Sequence, residues 1–286
     1  MRPVEIGYRF RRTVVALDGS VESRGALERA AEVAGWLETD FSGVFFEDED
    51  LLALSALPFS REVSLGGRSR ALDAVALEGE LRAQARRARR AIEDLARLRR
   101  ISCGFEVVRG RLQNMLLAQA QQADLLMLPR SSEPMTRSTG LARLAADVAA
   151  SATASVLVFD PRKPPGPGPV VTLVDEPENA ARTLAVAKDL CRHMRRPLRV
   201  LVTAGDAEAL ASNAEALQAA LTADPATRAD IRPVETTGKD ALLEALADPS
   251  GALVVASADT LGAAGIVSLI RRSRAPVLIL RARPQG

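Results

Sequence analysis

The sequence predicts an α/β protein with two consecutive domains, each containing a parallel sheet covered by helices on both faces. Short apolar runs alternate with segments in which apolar residues recur every three or four positions, as expected for strands alternating with helices. The alternation stops at a proline- and glycine-rich segment, residues 161–169, and then starts again. The 286 residues are enough for two domains of ordinary size.

The first half contains five predicted strands and four predicted helices. Its opening strand, Arg12 to Leu17, has the apolar and β-branched content of a strand buried on both faces. The following Asp18-Gly19-Ser20 is a turn whose Asp and Ser side chains suit a helix cap. Apolar residues between Ser23 and Glu38 then recur at helical spacing. The predicted strands are 12–17, 41–46, 105–108, 125–128 and 155–159, and the predicted helices are 23–38, 72–99, 112–121 and 141–151.

The second half repeats the same order. Val170 to Val174 is an apolar strand that ends in Asp175, much as the first strand ends in Asp18. The predicted strands are 170–174, 198–202, 231–235, 252–255 and 276–280, and the predicted helices are 180–194, 207–221, 240–247 and 266–272. This internal repeat predicts domains at 1–160 and 170–286, parallel sheets with right-handed crossovers, and a stiff linker at 161–169.

Composition excludes several partner classes. The net charge of +2, from 38 basic and 36 acidic residues, argues against nucleic acid as the main partner. No apolar stretch approaches the ~20 residues of a membrane span, and the first residues lack a secretory pattern. Cys103 and Cys191 lie in different predicted domains and give no disulfide framework or metal-ligand spacing. We therefore expect a cytoplasmic protein without a metal, membrane or nucleic-acid partner.

Four segments together carry a resemblance to the universal stress protein family. Residues 11–23 resemble the family's opening strand and Asp-Gly-Ser turn, residues 123–128 its fourth strand, and residues 154–159 and 274–280 its closing strand. The resemblance implies two tandem flavodoxin-like, or Rossmann-like, domains, each with five parallel strands in the order 3-2-1-4-5. It also implies that Val156–Phe159 pairs with Val277–Leu280, which would make the chain an intramolecular pseudo-dimer. The alternative to this pairing within one chain is a homodimer of two chains.

ATP-binding members of this family carry Gly-x2-Gly-x9-Gly-[Ser/Thr] after the fourth strand, where glycine lets backbone N–H groups approach the phosphates. The motif falls here on Pro129, Ser132, Ala142 and Arg143, so the spacing is kept and all three glycines are replaced. Proline has no N–H, and Ala142 adds a Cβ. We therefore expect the usual ATP phosphate loop to be lost from the first domain.

The second domain shows the same loss. Ala256 occupies the place of its first glycine, and Gly262 and Gly265 do not restore the spacing. The expected cofactor is none, with ATP as the alternative.

The candidate ligand cleft lies at the C-terminal edge of the first sheet, and its candidate lining residues are Asp18, Ser20, Phe46, Arg130 and Arg143. The resemblance implies that Asp18 contacts the adenine end of a nucleotide, and the alternative is that Asp18 caps a helix. The same two interpretations apply to Asp175. The arginines, with Arg137, would replace the lost backbone donors by side-chain donors to an anion. Otherwise they belong to an exposed loop of an arginine-rich protein.

Residues 47–59 form a second candidate site. Four acidic residues, Glu47 to Asp50, precede a leucine-rich stretch that ends in Pro58 and Phe59. Long loops in compact domains are usually functional or disordered, and this stretch is too apolar for a disordered tail. Two interpretations remain open: a lid over the domain, or a binding surface for a protein partner. The acidic residues would also suit the N-terminus of a short helix.

No catalytic centre is predicted. His193, the only histidine, accompanies neither a serine elbow nor a zinc-ligand spacing. Glu22 and Glu47 are acid–base candidates by position alone. The arginine-rich helix 72–99 is interpreted as a solvated face paired with its own acidic residues. We expect a non-catalytic stress-response or regulatory protein that binds protein partners; the alternative is a sensor of an adenine nucleotide or other small ligand.

Overall fold

The structure is a computed structural model that describes residues 10–18, 22–57, 61–63, 69–71, 73–99, 101–130, 141–175, 177–204, 206–222, 228–234, 239–247 and 250–282. The strands in these ranges are β1 (Thr13–Leu17), β2 (Phe41–Asp48), β3 (Arg61–Val63), β4 (Ser69–Ala71), β5 (Cys103–Gly110), β6 (Leu125–Pro129), β7 (Ser155–Phe159), β8 (Val170–Val174), β9 (Leu198–Val202), β10 (Ala229–Pro233), β11 (Leu253–Ser257) and β12 (Val277–Leu280). The helices are α1 (Glu22–Trp36), α2 (Glu49–Ser55), α3 (Ala74–Arg99), α4 (Leu112–Gln122), α5 (Leu141–Ser151), α6 (Pro177–Met194), α7 (Ala207–Thr222), α8 (Lys239–Leu246) and α9 (Ala258–Arg272).

Ten of the described strands form one sheet in the order β10-β9-β8-β11-β12-β7-β6-β1-β2-β5. Each half of the chain contributes five parallel strands in its own order 3-2-1-4-5, which confirms the predicted fold class. The central strands β1, β6 and β8 are buried along their whole length, because helices cover both faces of the sheet. Their unbroken apolar runs are the sequence signature of that burial.

The two halves join through their last strands. β7 and β12 pair antiparallel, with Val158 opposite Val277 and Val156 opposite Ile279. The structure thus contains the intramolecular pairing that the resemblance implied. Because the pairing is antiparallel, the C-terminal edges of the two half-sheets face opposite ends of the molecule.

The apolar core is shared between the halves. One buried cluster lies under α1, α3, α6 and α7, and a second lies under α4, α5, α8 and α9. Each cluster contains residues from both halves, and α1 packs against α6 while α5 packs against α9. The two halves are therefore continuous in both layers of the core, and separating them would expose apolar surface.

The segment predicted as a linker packs against the second half. The Gly168 N–H donates a hydrogen bond to the Ser250 carbonyl at 2.9 Å. A Cβ on Gly168 would lie 2.1 Å from the same oxygen, so only glycine fits this close approach. At the other end of the segment, Pro161 is buried and lies against Gly25 of α1. The domain boundaries at 160 and 170 themselves stay a prediction.

Local chemistry explains where the elements differ from the sequence prediction. α2 forms inside the expected loop because the Asp48 side chain accepts a hydrogen bond from the Asp50 N–H at 3.1 Å and caps the helix. α9 starts earlier than predicted, because Ser257 caps an extra turn that breaks at Gly262, where φ is +64°. β10 starts at Ala229 rather than at residue 231. Within the described ranges, no helix combines the length and apolar character needed to cross a bilayer.

Candidate functional site

The C-terminal edge of the first half-sheet has the topology of a ligand-binding site. The chain leaves β1 toward α1 on one face, and it leaves the neighbouring β6 toward α5 on the other. In doubly wound sheets, ligands bind in the crevice that such a divergence opens. Asp18, the residue after β1, is half-buried here and already interacts with other groups of the protein. Ser20 and the loop 131–140, which includes Ser132 and Arg137, lie outside the described residues.

Arg130 follows β6 directly, and its guanidinium reaches into the second half of the chain. Its Nη1 donates to the carbonyl oxygens of Ile270 at 2.8 Å and Ser273 at 2.6 Å, and its Nη2 donates to that of Ala275 at 3.0 Å. These carbonyls lie at and just beyond the end of α9, where they lack intrahelical partners. Burial lowers the pKa of Arg130, and the Asp160 carboxylate opposes that shift. The side chain thus joins the two halves.

Phe46 and Arg143, the other described candidates, lie in different surroundings. Phe46 is 2% exposed and belongs to the apolar cluster under α4 and α5. Arg143 is exposed in the first turn of α5. Of the four described candidates, Phe46 contributes to the core and Arg130 to the junction, which leaves Asp18 and Arg143 as the polar groups of this edge. The ligand cleft stays a prediction.

Glu47, an acid–base candidate by position, is a structural group. It is 5% exposed and accepts hydrogen bonds from Arg109, at 2.9 Å from Nε and 2.8 Å from Nη2. Arg109 also donates to Glu78 of α3 at 3.2 Å. Hydrogen bonding to Glu47 raises the pKa of Arg109. This network fastens β2, β5 and α3 together, and it occupies the carboxylate that catalysis would need. For Glu22, the structure describes only the backbone.

α2 presents apolar side chains to solvent. Leu51, Leu54 and Leu57, spaced three residues apart, are 42%, 55% and 43% exposed; we call these three residues the α2 ridge. Ser55, the last residue of α2, is buried, and its hydroxyl donates to the Leu52 carbonyl at 2.6 Å. Exposed apolar clusters are one mark of an interaction surface, and the lid and the partner-binding surface both stay predictions. Pro58 and Phe59 lie outside the described residues.

The structure also describes His193, both cysteines and Asp175. The His193 Nδ1 lies 2.9 Å from the Asp189 carbonyl on its own helix, in an exposed position. Burial raises the pKa of the Cys191 thiol to about 12, and it also raises the pKa of Cys103. Asp175 is half-buried and interacts within the protein. Among the described residues, no group of three or more His, Cys, Asp or Glu side chains could hold a metal ion.

The sequence interpretation missed Arg281, which lies directly after β12. Its Nη2 donates to the carbonyls of Ala149 at 3.0 Å and Ala150 at 2.7 Å, near the end of α5. Its N–H donates to the Ser155 hydroxyl at 3.1 Å, beside a polar pocket of about 220 Å³. Arg281 therefore binds a helix end of the first half, as Arg130 does in the second. Its position after a closing strand is visible in the sequence, but its target depends on the antiparallel joining of the halves.

Comparisons with known proteins agree with this architecture. The model of the "Universal stress protein family" matches residues 9–160. A universal stress protein from Archaeoglobus fulgidus DSM 4304 is similar over 96% of this chain and 97% of its own, with 13% identity and a TM-score of 0.64. A protein from Pseudomonas aeruginosa UCBPP-PA14, provisionally assigned as a universal stress protein, is similar over 95% of this chain and 93% of its own, with 15% identity and a TM-score of 0.57.

A universal stress protein solved in complex with cAMP is similar over 54% of this chain and 99% of its own, with 19% identity and a TM-score of 0.33. No curated protein matches the chain in sequence. At these identities the similarity to solved structures shows the fold.

Proposed function

We propose a function for the chain from its membership of the universal stress protein family, to which it belongs. It is a non-catalytic stress-response or regulatory protein that acts through contacts with other proteins. In this proposal the usual ATP phosphate loop is lost, and the protein works in the cytoplasm without a cofactor. Its partner surface includes the α2 ridge within residues 47–59.

The observation that carries the proposal is the lack of free main-chain N–H groups at residues 129 and 130, at the end of β6. Pro129 occupies the first glycine position of the motif, is buried, and has no N–H to donate. The next N–H, of Arg130, already donates to the Phe159 carbonyl at 2.8 Å. Two successive main-chain donors are therefore unavailable at the place where a phosphate would need them. The Arg130 side chain, bound to the end of α9, does not replace them.

The α2 ridge supports the second part of the proposal. Leu51 and Leu54 of α2 and Leu57, two residues after its end, are all exposed, and burying their apolar surface against a partner would be favourable. Acidic residues Glu49 and Asp50 flank the ridge and lie within 4.0 Å and 3.8 Å of the Arg111 guanidinium. A polar rim around an apolar centre is the usual anatomy of a protein interface.

The alternative function is an adenine-nucleotide or small-ligand sensor. The observation that favours it is the first turn of α5, where main-chain N–H groups lack intrahelical partners and Arg143 is exposed. An anion could bind there without the glycines of the motif. This alternative requires a measurable affinity for the nucleotide, so a binding experiment separates it from the proposal.

The experiment on nucleotide binding uses the purified protein. The protein is denatured and its supernatant is analysed for adenine nucleotides by chromatography; in parallel, the melting temperature is measured with and without 1 mM ATP or cAMP. A ligand with a Kd near 10 μM would stabilise the fold by about 2.7 kcal/mol under these conditions. We expect no released nucleotide and no shift in melting temperature. Stoichiometric nucleotide, or a shift that disappears in Arg143→Ala, would establish the sensor instead.

The partner surface is tested by photo-crosslinking in cells. Leu54 is replaced by a photo-reactive phenylalanine analogue, and the matched control carries the same analogue at Leu98, a 78% exposed leucine on α3. We expect discrete protein adducts from position 54 that are absent from position 98, because only position 54 belongs to the ridge. The same adduct pattern from both positions would refute a specific contact at the ridge.

A further inference from the structure

We infer that the outer edge of β5, together with the arginine side of α3, binds an acidic, extended segment of a partner protein, which adds a strand to the sheet. The inference rests on the proposed function only in requiring a protein partner. Strand addition to an exposed sheet edge is a recurrent mode of peptide recognition, in which main-chain hydrogen bonds give affinity and alternate side chains give specificity.

Within the part of the chain that the structure describes, β5 is an edge strand. β5 is the last strand in the sheet order, and all eight of its residues pair with β2 on one side. No other described strand pairs with its outer side. β10, at the opposite end of the sheet, has five residues and ends in Pro233, a typical way of blunting an edge. β5 contains no proline, and its Val107 side chain is 41% exposed. It therefore offers a long, unblunted row of main-chain donors and acceptors.

α3 places positive charge along this edge. Two contacts show which side of the helix faces β5: Glu78 bonds Arg109 at 3.2 Å, and the Arg89 guanidinium lies 4.9 Å from the centre of the Phe105 ring. Helical spacing puts four arginines on this side and the adjoining solvent side. We call them the α3 arginines, and they are Arg82, Arg86, Arg89 and Arg90.

The α3 arginines are only partly neutralised. Arg82 pairs with Glu78 at 3.0 Å, whereas Arg86 and Arg90 form no ion pair with another described residue. The segment between Leu81 and Ile92 contains five arginines and no acidic residue. An added strand points every second side chain toward the α3 face of the sheet. Acidic residues at those alternate positions would lie against the α3 arginines, and this complementarity defines the partner.

Two other occupants fit less well. A second copy of the chain that paired antiparallel through β5 would bring two sets of α3 arginines together on the same face, and like charges in that arrangement repel. A nucleic acid would make no use of the open main-chain edge.

The probe is a fluorescein-labelled ten-residue peptide of alternating Glu and Val, and its binding to the full chain is measured by fluorescence anisotropy. The test variant is Arg86→Glu/Arg90→Glu. The matched control is Arg228→Glu/Arg271→Glu, which makes the same change in net charge at exposed arginines of the second half, far from β5 in the sheet order. We expect Kd to rise about tenfold in the test variant and to stay unchanged in the control.

Two further peptides test the main-chain contribution, because N-methylation removes hydrogen-bond donors and keeps every charge. One is N-methylated at the odd residues and the other at the even residues. Strand addition predicts that one of them loses binding and the other keeps it, since only one set of N–H groups faces β5. Equal binding of both, or competition by single-stranded DNA as strong as that by unlabelled peptide, would overturn strand addition.

Self-association provides a further outcome. A concentration-dependent dimer that the peptide dissociates would assign the edge to a second copy of the chain and overturn the inference. Failure of the peptide to bind while Leu54 still gives adducts would reject this site and leave the proposed function standing. Nucleotide release would reject the proposed function, and it would not affect the peptide result.

Discussion

Replacing Arg130 by methionine is expected to destabilise the junction between the two halves. Methionine keeps most of the apolar stem and removes the guanidinium, so the carbonyls of Ile270, Ser273 and Ala275 lose three charge-assisted hydrogen bonds. The change lies at a residue that sequence reasoning placed in a ligand cleft. The two roles therefore predict different behaviour of the protein without any ligand.

The magnitude follows from the contacts. Three hydrogen bonds to a charged group contribute about 1.5 kcal/mol each at the lower end of the measured range, or about 4.5 kcal/mol together. Burial of the guanidinium, which lowers its pKa, offsets part of this gain. We therefore expect the free energy of unfolding to fall by roughly 2–4 kcal/mol. For a chain of this size, that corresponds to a fall of about 4–12 °C in melting temperature.

The assay is thermal and urea unfolding of the unliganded protein, with Arg143→Met as the matched control. Arg143 is the other described arginine of the predicted cleft, and it is exposed, so its replacement should change stability by no more than about 0.5 kcal/mol. Equal melting temperatures for the two variants would refute the assignment of Arg130 to the junction. If nucleotide raised the melting temperature of the unmodified protein but not that of Arg130→Met, and the two had equal stability without ligand, Arg130 would be a residue of the ligand cleft.

Three further predictions concern the junction, the packed linker and the buried thiol. Arg281→Met removes two carbonyl contacts and should lower the free energy of unfolding by roughly 1–3 kcal/mol in urea titrations; no change would exclude it as a junction contact. Gly168→Ala should lower the free energy of unfolding by about 1–3 kcal/mol or more, because its Cβ would collide with the Ser250 carbonyl. Gly79→Ala, which has open space on α3, should raise it by about 0.5–1 kcal/mol. Calorimetry of both variants checks the two opposite signs. Burial raises the pKa of the Cys191 thiol from 9.0 to about 12, so the folded protein holds a proton that the unfolded chain releases between these pH values. The free energy of unfolding should therefore fall with rising pH in this range by about 1.4 kcal/mol per pH unit more than it does in Cys191→Ala. Equal slopes in the two proteins would contradict the raised pKa.

The sequence predicts the elements best where burial makes the local pattern unambiguous. Ser155–Phe159, Val170–Val174 and Leu198–Val202 have the predicted bounds because at least four of the five residues in each are apolar or β-branched. β10 is less well predicted because it lies at the edge of the sheet. Its residues alternate between half-buried and exposed, so no apolar run marks its beginning at Ala229.

The roles of the candidate site residues depend on contacts that no local pattern contains. The carbonyls that Arg130 binds lie 140 to 145 residues away in sequence, and they become neighbours only because β7 and β12 pair antiparallel. Phe46 was placed in the cleft by its position near the end of a strand, and alternation along β2 turns its side chain into the core instead. The missing N–H of residue 129 is predictable from the sequence, since proline lacks that group in any conformation.

The end of β6 shows how junction geometry bears on ligand binding. A phosphate loop needs main-chain N–H groups that are free, close together and pointed at one place. Here the N–H of Arg130 donates to Phe159 of the neighbouring strand β7, and the guanidinium of the same residue donates to the end of α9 in the other half. Restoring glycine at Pro129 would return one donor, but it would leave the Arg130 amide bound to Phe159 and its side chain bound across the junction. Under the proposed function, the contact that the Arg130 side chain makes across the junction would therefore hinder phosphate binding in addition to the missing glycines.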